Sequence, residues 1–189
     1  MTIEVLGSIG VGLIAGSFAL LGFGGDSLIE LISGLAVLRG LRADSSRSSG
    51  NATDGRRTEQ FTSLLLFSLI PVIGLGAVYS YITGLKPEGS PLGIVIAIGA
   101  LIVMPYLYVQ KKRIGRETRS LSLSIDAIES ITCIFMAAAL LGGLLAEYFL
   151  GFWWADYLAT GVILSFVARE AVESYHELHE EESTAHVQS

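Results

Sequence analysis

Charged residues are scarce in this chain. Asp, Glu, Lys and Arg make up only 16% of its 189 residues, whereas 51% are hydrophobic. A water-soluble domain of this length needs more polar surface than that. The apolar residues also fall into long blocks, without the alternation expected of an element that faces water on one side. Together with a mean hydropathy of +0.60, this excludes a soluble globular domain and predicts an integral membrane protein.

Three other features that the sequence lacks exclude particular bonds, partners and processing. The chain has a single cysteine, Cys133, which rules out an intramolecular disulfide. No segment is rich in both basic and aromatic residues, so we expect no nucleic-acid partner. No basic stretch precedes the first apolar block, so we expect no cleavable signal peptide.

Six apolar segments divide the chain, and each is predicted to be a helix. The first is shorter than the roughly 20 residues that a lipid-spanning helix needs. We therefore predict an all-α bundle of six transmembrane helices over residues 1–175, followed by an acidic cytoplasmic tail over 176–189. The segments cover residues 3–15, 18–38, 61–82, 92–109, 121–150 and 153–174.

The basic residues indicate the orientation in the membrane. Ten of the twelve Lys and Arg residues lie in two alternate connections, at 39–57 and 111–119. Basic loops stay on the cytoplasmic side, so we expect both termini in the cytoplasm of a multi-pass protein of the cell membrane. The stretch 42–57 is poor in apolar residues and is predicted to be a flexible cytoplasmic linker.

Acidic residues inside two of these segments are the main candidates for function. Asp26 and Glu30 are spaced i, i+4 in the second segment, and Asp126, Glu129 and Cys133 share one face of the fifth. A charged residue in the middle of a membrane costs about 2.5–3.5 kcal/mol on insertion scales. We expect no Lys, Arg or His at comparable depth, so the cation that pairs with these carboxylates should come from outside the protein.

Carboxylates combined with a thiolate suit zinc or a neighbouring divalent transition metal better than magnesium or calcium. Structural alternatives exist for each helix. Asp26 and Asp126 both lie near predicted helix starts, where an Asp often caps the backbone. Cys133 alone could be a small buried apolar residue.

Other acidic and histidine residues are weaker candidates. Glu4 lies in the short first segment. Asp156, beside Trp154, is interpreted as an interfacial helix cap. His176 and His179 stand among glutamates, and a solvated acidic tail is the favoured interpretation of that region.

At these motifs the chain resembles the cation diffusion facilitator family. Residues 16–30 read Gly-Ser-Phe-Ala-Leu-Leu-Gly-Phe-Gly-Gly-Asp-Ser-Leu-Ile-Glu. They resemble the family's entry into its second helix, and Asp26 and Glu30 fall on its two metal-ligand positions there. The fifth helix of the family usually carries Asp-x-x-His-x-x-x-Asp. The matching residues here are Asp126, Glu129 and Cys133, so Glu129 takes the histidine position and Cys133 the second aspartate position.

The resemblance implies a function and a site. It implies a homodimeric transporter, not an enzyme, that exports a divalent metal from the cytoplasm in exchange for protons. The metal, with zinc favoured, would be the transported ligand, and no prosthetic group is expected. About fifteen residues follow the sixth segment, so we expect no counterpart of the family's cytoplasmic domain. The run Gly-Phe-Gly-x-Asp-Ser-Leu-Ile-Glu and the fifth-helix Cys133 also resemble a group of short bacterial and archaeal proteins described as cation transporters.

Two other functions fit parts of the pattern. An intramembrane aspartyl protease would use Asp26 and Asp126 as its catalytic pair, but the Gly-x-Gly-Asp motif of those enzymes would need glycine where Phe23 stands. A dimeric membrane protein could instead use the metal as a structural or sensory ligand without transporting it.

Overall fold

The computed structural model of the chain consists of six α-helices. It describes the backbone of residues 2–44, 52–118 and 121–187, and side chains within 2–35, 63–114, 130–173 and 175. No strand occurs in those backbone ranges. The helices are α1 (Thr2–Ala15), α2 (Phe18–Asp44), α3 (Ala52–Thr83), α4 (Pro91–Thr118), α5 (Leu121–Leu150) and α6 (Trp154–Val187).

Each predicted segment corresponds to one helix, and the all-helical prediction is confirmed. The predicted linker is too long, because residues 42–44 and 52–57 are helical. Only residues 45–51 remain between α2 and α3, and they lie outside the described backbone. The helix α6 also continues to Val187, so most of the predicted tail extends that helix.

Four helices contain windows that are long and apolar enough to cross a membrane, counted over the described residues. The windows are Phe18–Leu35, Ser63–Thr83, Pro91–Ile114 and Ser130–Leu150. Large apolar side chains cover their outer surfaces: Leu75, Leu92 and Ile102 are each about two-thirds exposed. Such faces suit lipid, not water. At 14 residues, α1 spans about 21 Å, less than the hydrocarbon thickness of about 30 Å.

A two-residue turn joins α1 to α2. Gly16 has a φ of 65°, a conformation that glycine adopts without a steric penalty. The amide of Ser17 then donates to the carbonyl oxygen of Gly12 at 3.0 Å, which closes the end of α1. The amide of Leu20 donates to Ser17 Oγ at 3.1 Å, so Ser17 caps the start of α2. The two helices are therefore antiparallel neighbours.

The helix α2 lies at the centre of the bundle and packs against α1, α3, α5 and α6. Two glycines allow close approach. A Cβ atom on Gly24 would lie 2.9 Å from Ser8 and Ile9 of α1, and one on Gly25 would lie 2.6 Å from Leu69 of α3. Small residues at such positions let membrane helices pack backbone to backbone. These two glycines directly precede Asp26, so close packing fixes the backbone that carries it.

Candidate metal site

The two acidic residues of α2 are buried inside the bundle. Asp26 is 3% exposed and Glu30 is 9% exposed. Asp26 lies eight residues after the first residue of α2, too deep to cap that helix, and Ser17 fills the capping position instead. The capping alternative for Asp26 is therefore wrong. A buried acid in this position needs a partner or a ligand.

Cys133 of α5 faces both carboxylates of α2. Its thiol is 2% exposed, and its Sγ atom lies 3.4 Å from Glu30 Oε2 and 3.8 Å from Asp26 Oδ2. Both distances allow the thiol to donate a hydrogen bond to a carboxylate oxygen. The structure therefore brings together three of the five predicted site residues: Asp26, Glu30 and Cys133.

The other two predicted residues, Asp126 and Glu129, lie in the first turns of α5. Their side chains lie outside the described part of the structure, so their roles stay predictions. Among the side chains that are described, no group of three or more His, Cys, Asp or Glu is already arranged to hold a metal ion. Cys133 thus lies close to two other candidate ligands, but these three side chains alone do not form a complete metal site.

Lys111 of α4 reaches into the same cluster, which makes one prediction wrong. Its Nζ atom lies 3.1 Å from Glu30 Oε1 and donates to Ser130 Oγ of α5 at 3.1 Å. The Lys111 side chain is only 18% exposed. Glu30 therefore does have a cation of the protein as its partner. The sequence placed Lys111 in a basic cytoplasmic loop, but α4 continues past it and the long side chain extends back into the bundle.

Glu170 of α6 also joins the cluster, although its sequence position among the C-terminal glutamates gave no sign of this. Its carboxyl group shares a side-chain hydrogen bond with Asp26 and interacts electrostatically with Glu30. The helical spacing of residues along α6 could have indicated that Glu170 faces the bundle. Ile163 and Val167 are fully buried on α6, and Glu170 continues their stripe at i+7 and i+3.

Asp156 caps a helix, as predicted, but that helix is α2 and not its own. One oxygen of Asp156 accepts from Ser17 Oγ at 2.5 Å, and the other accepts from the amides of Phe18 and Ala19 at 3.1 and 3.5 Å. Asp156 is 1% exposed. This one carboxylate joins the start of α6 to the start of α2, at the end of the bundle away from the basic connections.

The weaker candidates fall in different places. Glu4 is partly buried on α1 and interacts electrostatically with Glu30. His176 and His179 belong to α6, and their side chains lie outside the described residues.

The central site, meaning Asp26, Glu30, Cys133 and Glu170, draws on α2, α5 and α6, with Lys111 of α4 beside it.

Comparison with known proteins identifies the family of the chain. The family model described as the cation efflux transmembrane domain matches residues 2–177. The chain belongs to the cation efflux family. This confirms the resemblance found in the motifs and the expectation of a multi-pass membrane protein. It also confirms that the chain is not an enzyme, which removes the aspartyl protease alternative.

A curated relative is also similar. The cation-efflux pump FieF of Shewanella oneidensis is 30% identical over 87 residues. That stretch covers 46% of this chain and 29% of the pump. This relative is itself a cation-efflux pump, which agrees with the family. The chain matches less than a third of that relative's length.

Proposed function

We propose that this protein exports a divalent metal cation, with zinc favoured, across the cytoplasmic membrane in exchange for protons. The observation that carries the proposal is the position of the Cys133 thiol beside both carboxylates of α2. Asp26, Glu30 and Cys133 act as ligands. Glu170 lies within reach of Asp26, and Asp126 and Glu129 are the remaining candidates to complete the shell.

The distances between the candidate ligands support a tetrahedral ion. Zn–S and Zn–O bonds of about 2.3 and 2.0 Å place the two ligand atoms of a tetrahedral site about 3.5 Å apart. The Cys133 Sγ atom lies 3.4 and 3.8 Å from its two carboxylate neighbours. Each of these distances therefore fits a zinc ion shared by Cys133 and one of the two carboxylates. Magnesium and calcium avoid sulfur ligands, so they suit this set poorly.

Exchange against protons follows from the same ligands. Carboxyl and thiol groups bind a metal in their deprotonated forms, so metal and protons compete for the site. A low external pH would then favour metal release on the outer side. We infer from the family resemblance that two copies assemble as a homodimer, with residues 1–175 forming the membrane unit, residues 176–189 on the cytoplasmic side and lipid around the bundle.

Transport by reconstituted protein tests the proposal. Protein in liposomes is expected to move zinc, and cobalt or manganese more slowly, when a pH gradient is imposed, with magnesium not moved. Changing Cys133 to Ser should reduce zinc affinity roughly 10- to 100-fold, because a hydroxyl is a poor zinc ligand. Its effect on manganese, which prefers oxygen ligands, should be smaller.

The alternative outcomes are distinct. Zinc that binds but does not cross the membrane would support the structural or sensory alternative. A Cys133→Ser variant with unchanged zinc affinity would remove the thiol from the ligand set. Liposomes without protein, under the same gradient, control for leakage.

Lys111 acts as the counter-ion of Glu30 when no metal is bound. Its ammonium group and an arriving metal cation compete for the same carboxylate, whose Oε1 atom it contacts at 3.1 Å. Lys111 contacts Glu30 Oε1 whereas Oε2 faces Cys133, so the ammonium charge weakens the attraction of this carboxylate for a metal without occupying the same oxygen. This competition sets the affinity low enough for the ion to leave again.

Changing Lys111 to Gln is accordingly expected to tighten zinc binding by roughly 3- to 10-fold, the equivalent of losing an ion pair worth about 1 kcal/mol. Titration of the purified protein with zinc measures the change. Lys112→Gln is the matched control, since the Lys112 ammonium donates to the Tyr108 hydroxyl at 2.7 Å, away from the site. Weaker zinc binding by the Lys111 variant would mean that this lysine supports the site.

A further inference from the structure

Glu147, near the outer end of α5, is a buried acid that the central site does not use. It is 6% exposed, and neither of its carboxylate oxygens has a hydrogen-bond partner among the described residues. Buried polar groups that serve structure are normally hydrogen-bonded. Asp156 is such a group, because it accepts hydrogen bonds from the Ser17 hydroxyl and from the first two amides of α2. Glu147 has no comparable structural explanation.

The surroundings of Glu147 contain a second acid. A Cβ atom on Gly143, one turn before Glu147, would lie 2.7 Å from Ala159 Cβ and 3.2 Å from the Ala155 carbonyl oxygen. The start of α6 is therefore close to α5, and Glu147 interacts electrostatically with Asp156 there. The ammonium group of Lys86, in the connection between α3 and α4, lies 5.7 Å from the centre of the Trp153 ring. Its partner is therefore this ring. Glu147 and Asp156 are therefore neighbouring acids at the outer end of the bundle.

Glu147 lies on the same face of α5 as Cys133. The two are 14 residues apart, which is about 21 Å and close to four complete turns. Between them Met136, Leu140 and Leu144 occupy that face, and each is at most 1% exposed. This face of α5 therefore carries the thiol of the central site, then three buried apolar side chains, then the carboxylate at the outer end.

We propose that Glu147, together with Asp156, forms an extracytoplasmic site for a divalent cation. On this proposal, which rests on the proposed function, the exported cation binds there after it leaves the central site. Met136, Leu140 and Leu144 form the apolar seal between the two sites. Glu147 supplies a free carboxylate. Asp156 contributes negative charge through oxygens already held by α2, so the outer site binds more weakly than the central one.

Zinc binding to a variant without the central site tests this directly. In Asp26→Asn/Glu30→Gln protein, a residual zinc ion is expected to bind at least about tenfold more weakly than the wild-type ion. Adding Glu147→Gln should remove that residual binding. Adding Glu88→Gln should not, because Glu88 is an exposed acid on the same side of the membrane. Glutamine matches the size and shape of the carboxyl group, and a single symmetric peak in size-exclusion chromatography checks that each variant is folded.

Two results would overturn the outer site: no residual zinc in the double variant, or residual zinc that persists when Glu147 is also changed. Transport gives a separate readout. Glu147→Gln alone should leave the affinity of the central site within about threefold and slow zinc export roughly tenfold or more. If the wild-type protein moves no zinc, the proposed function fails, while the binding experiment still decides whether the outer site exists.

Discussion

A protein with Asp26 changed to Asn and Glu30 changed to Gln is expected to lose high-affinity zinc binding, with a fall on the order of 100-fold or more. Both replacements keep the shape of the side chain, but an amide offers a neutral oxygen in place of a charged one. In a low-dielectric interior, a divalent ion depends on the negative charge of its ligands. Removing the charges of Asp26 and Glu30 leaves the other candidate ligands without the two buried carboxylates of α2, so zinc is held much more weakly.

Isothermal titration of purified wild-type and variant protein near neutral pH measures this loss, and zinc uptake into liposomes should fall in parallel. Glu88→Gln is the matched control, because it neutralises an exposed acid outside the bundle core. Because Asn and Gln have the same shape as Asp and Glu, the double variant should still fold. Its melting temperature, measured by thermal unfolding, checks this. Zinc affinity that survives the double change within about threefold would contradict the central site and the function proposed from it.

The second large effect concerns the stability of the fold. Asp156→Ala is expected to lower the free energy of unfolding by about 3 kcal/mol, because it leaves the Ser17 hydroxyl and the amides of Phe18 and Ala19 without their acceptor. The hydrogen bonds from Ser17 and Ala19 are buried, so water does not readily replace the lost carboxylate there. For a chain of this length, the melting temperature should drop by roughly 6–12 °C.

Thermal unfolding in detergent, followed by circular dichroism, measures the shift. Asp156→Asn retains one acceptor oxygen and should fall between the wild type and Asp156→Ala. Glu88→Ala removes an acid of similar size from an exposed position and should leave the melting temperature unchanged. If Asp156→Ala melts together with the Glu88 control, the carboxylate does not hold the ends of α2 and α6 together.

The parts of this protein that could be predicted from sequence are those set by local pattern. Apolar blocks identified the six helices, and the segment 121–150 matches α5 residue for residue. The i, i+4 spacing of Asp26 and Glu30 placed both acids on one face of a helix. The register between Cys133 and the acids of α5 then suggested which helices meet. Cys133 does face Asp26 and Glu30.

The parts that escaped prediction depend on contacts between distant helices. Lys111 follows the last apolar residues of α4 and looked like a loop residue, because the reach of a lysine side chain back into a bundle has no sequence signal. Glu170 stands close to the C-terminal glutamates and was not predicted as a site residue, although its helical phase places it on the buried stripe of α6. Asp156 was recognised as a cap, but capping was assumed to be local. Glu147 lies far along the fifth segment from Asp126 and Glu129, with no second acid one turn away, and no site was predicted there.

The bond between Asp156 and the start of α2 makes the outer end of the bundle a pivot. Two residues join α1 to α2 at the same end, so three helices share it. Glu30 lies about 18 Å along α2 from that point, and the inner end of α2 about 39 Å. A tilt of about 10° would therefore move Glu30 by about 3 Å and the inner end by about 7 Å. A tilt of that size would separate Glu30 from Lys111 and Cys133 while the outer end hardly moved.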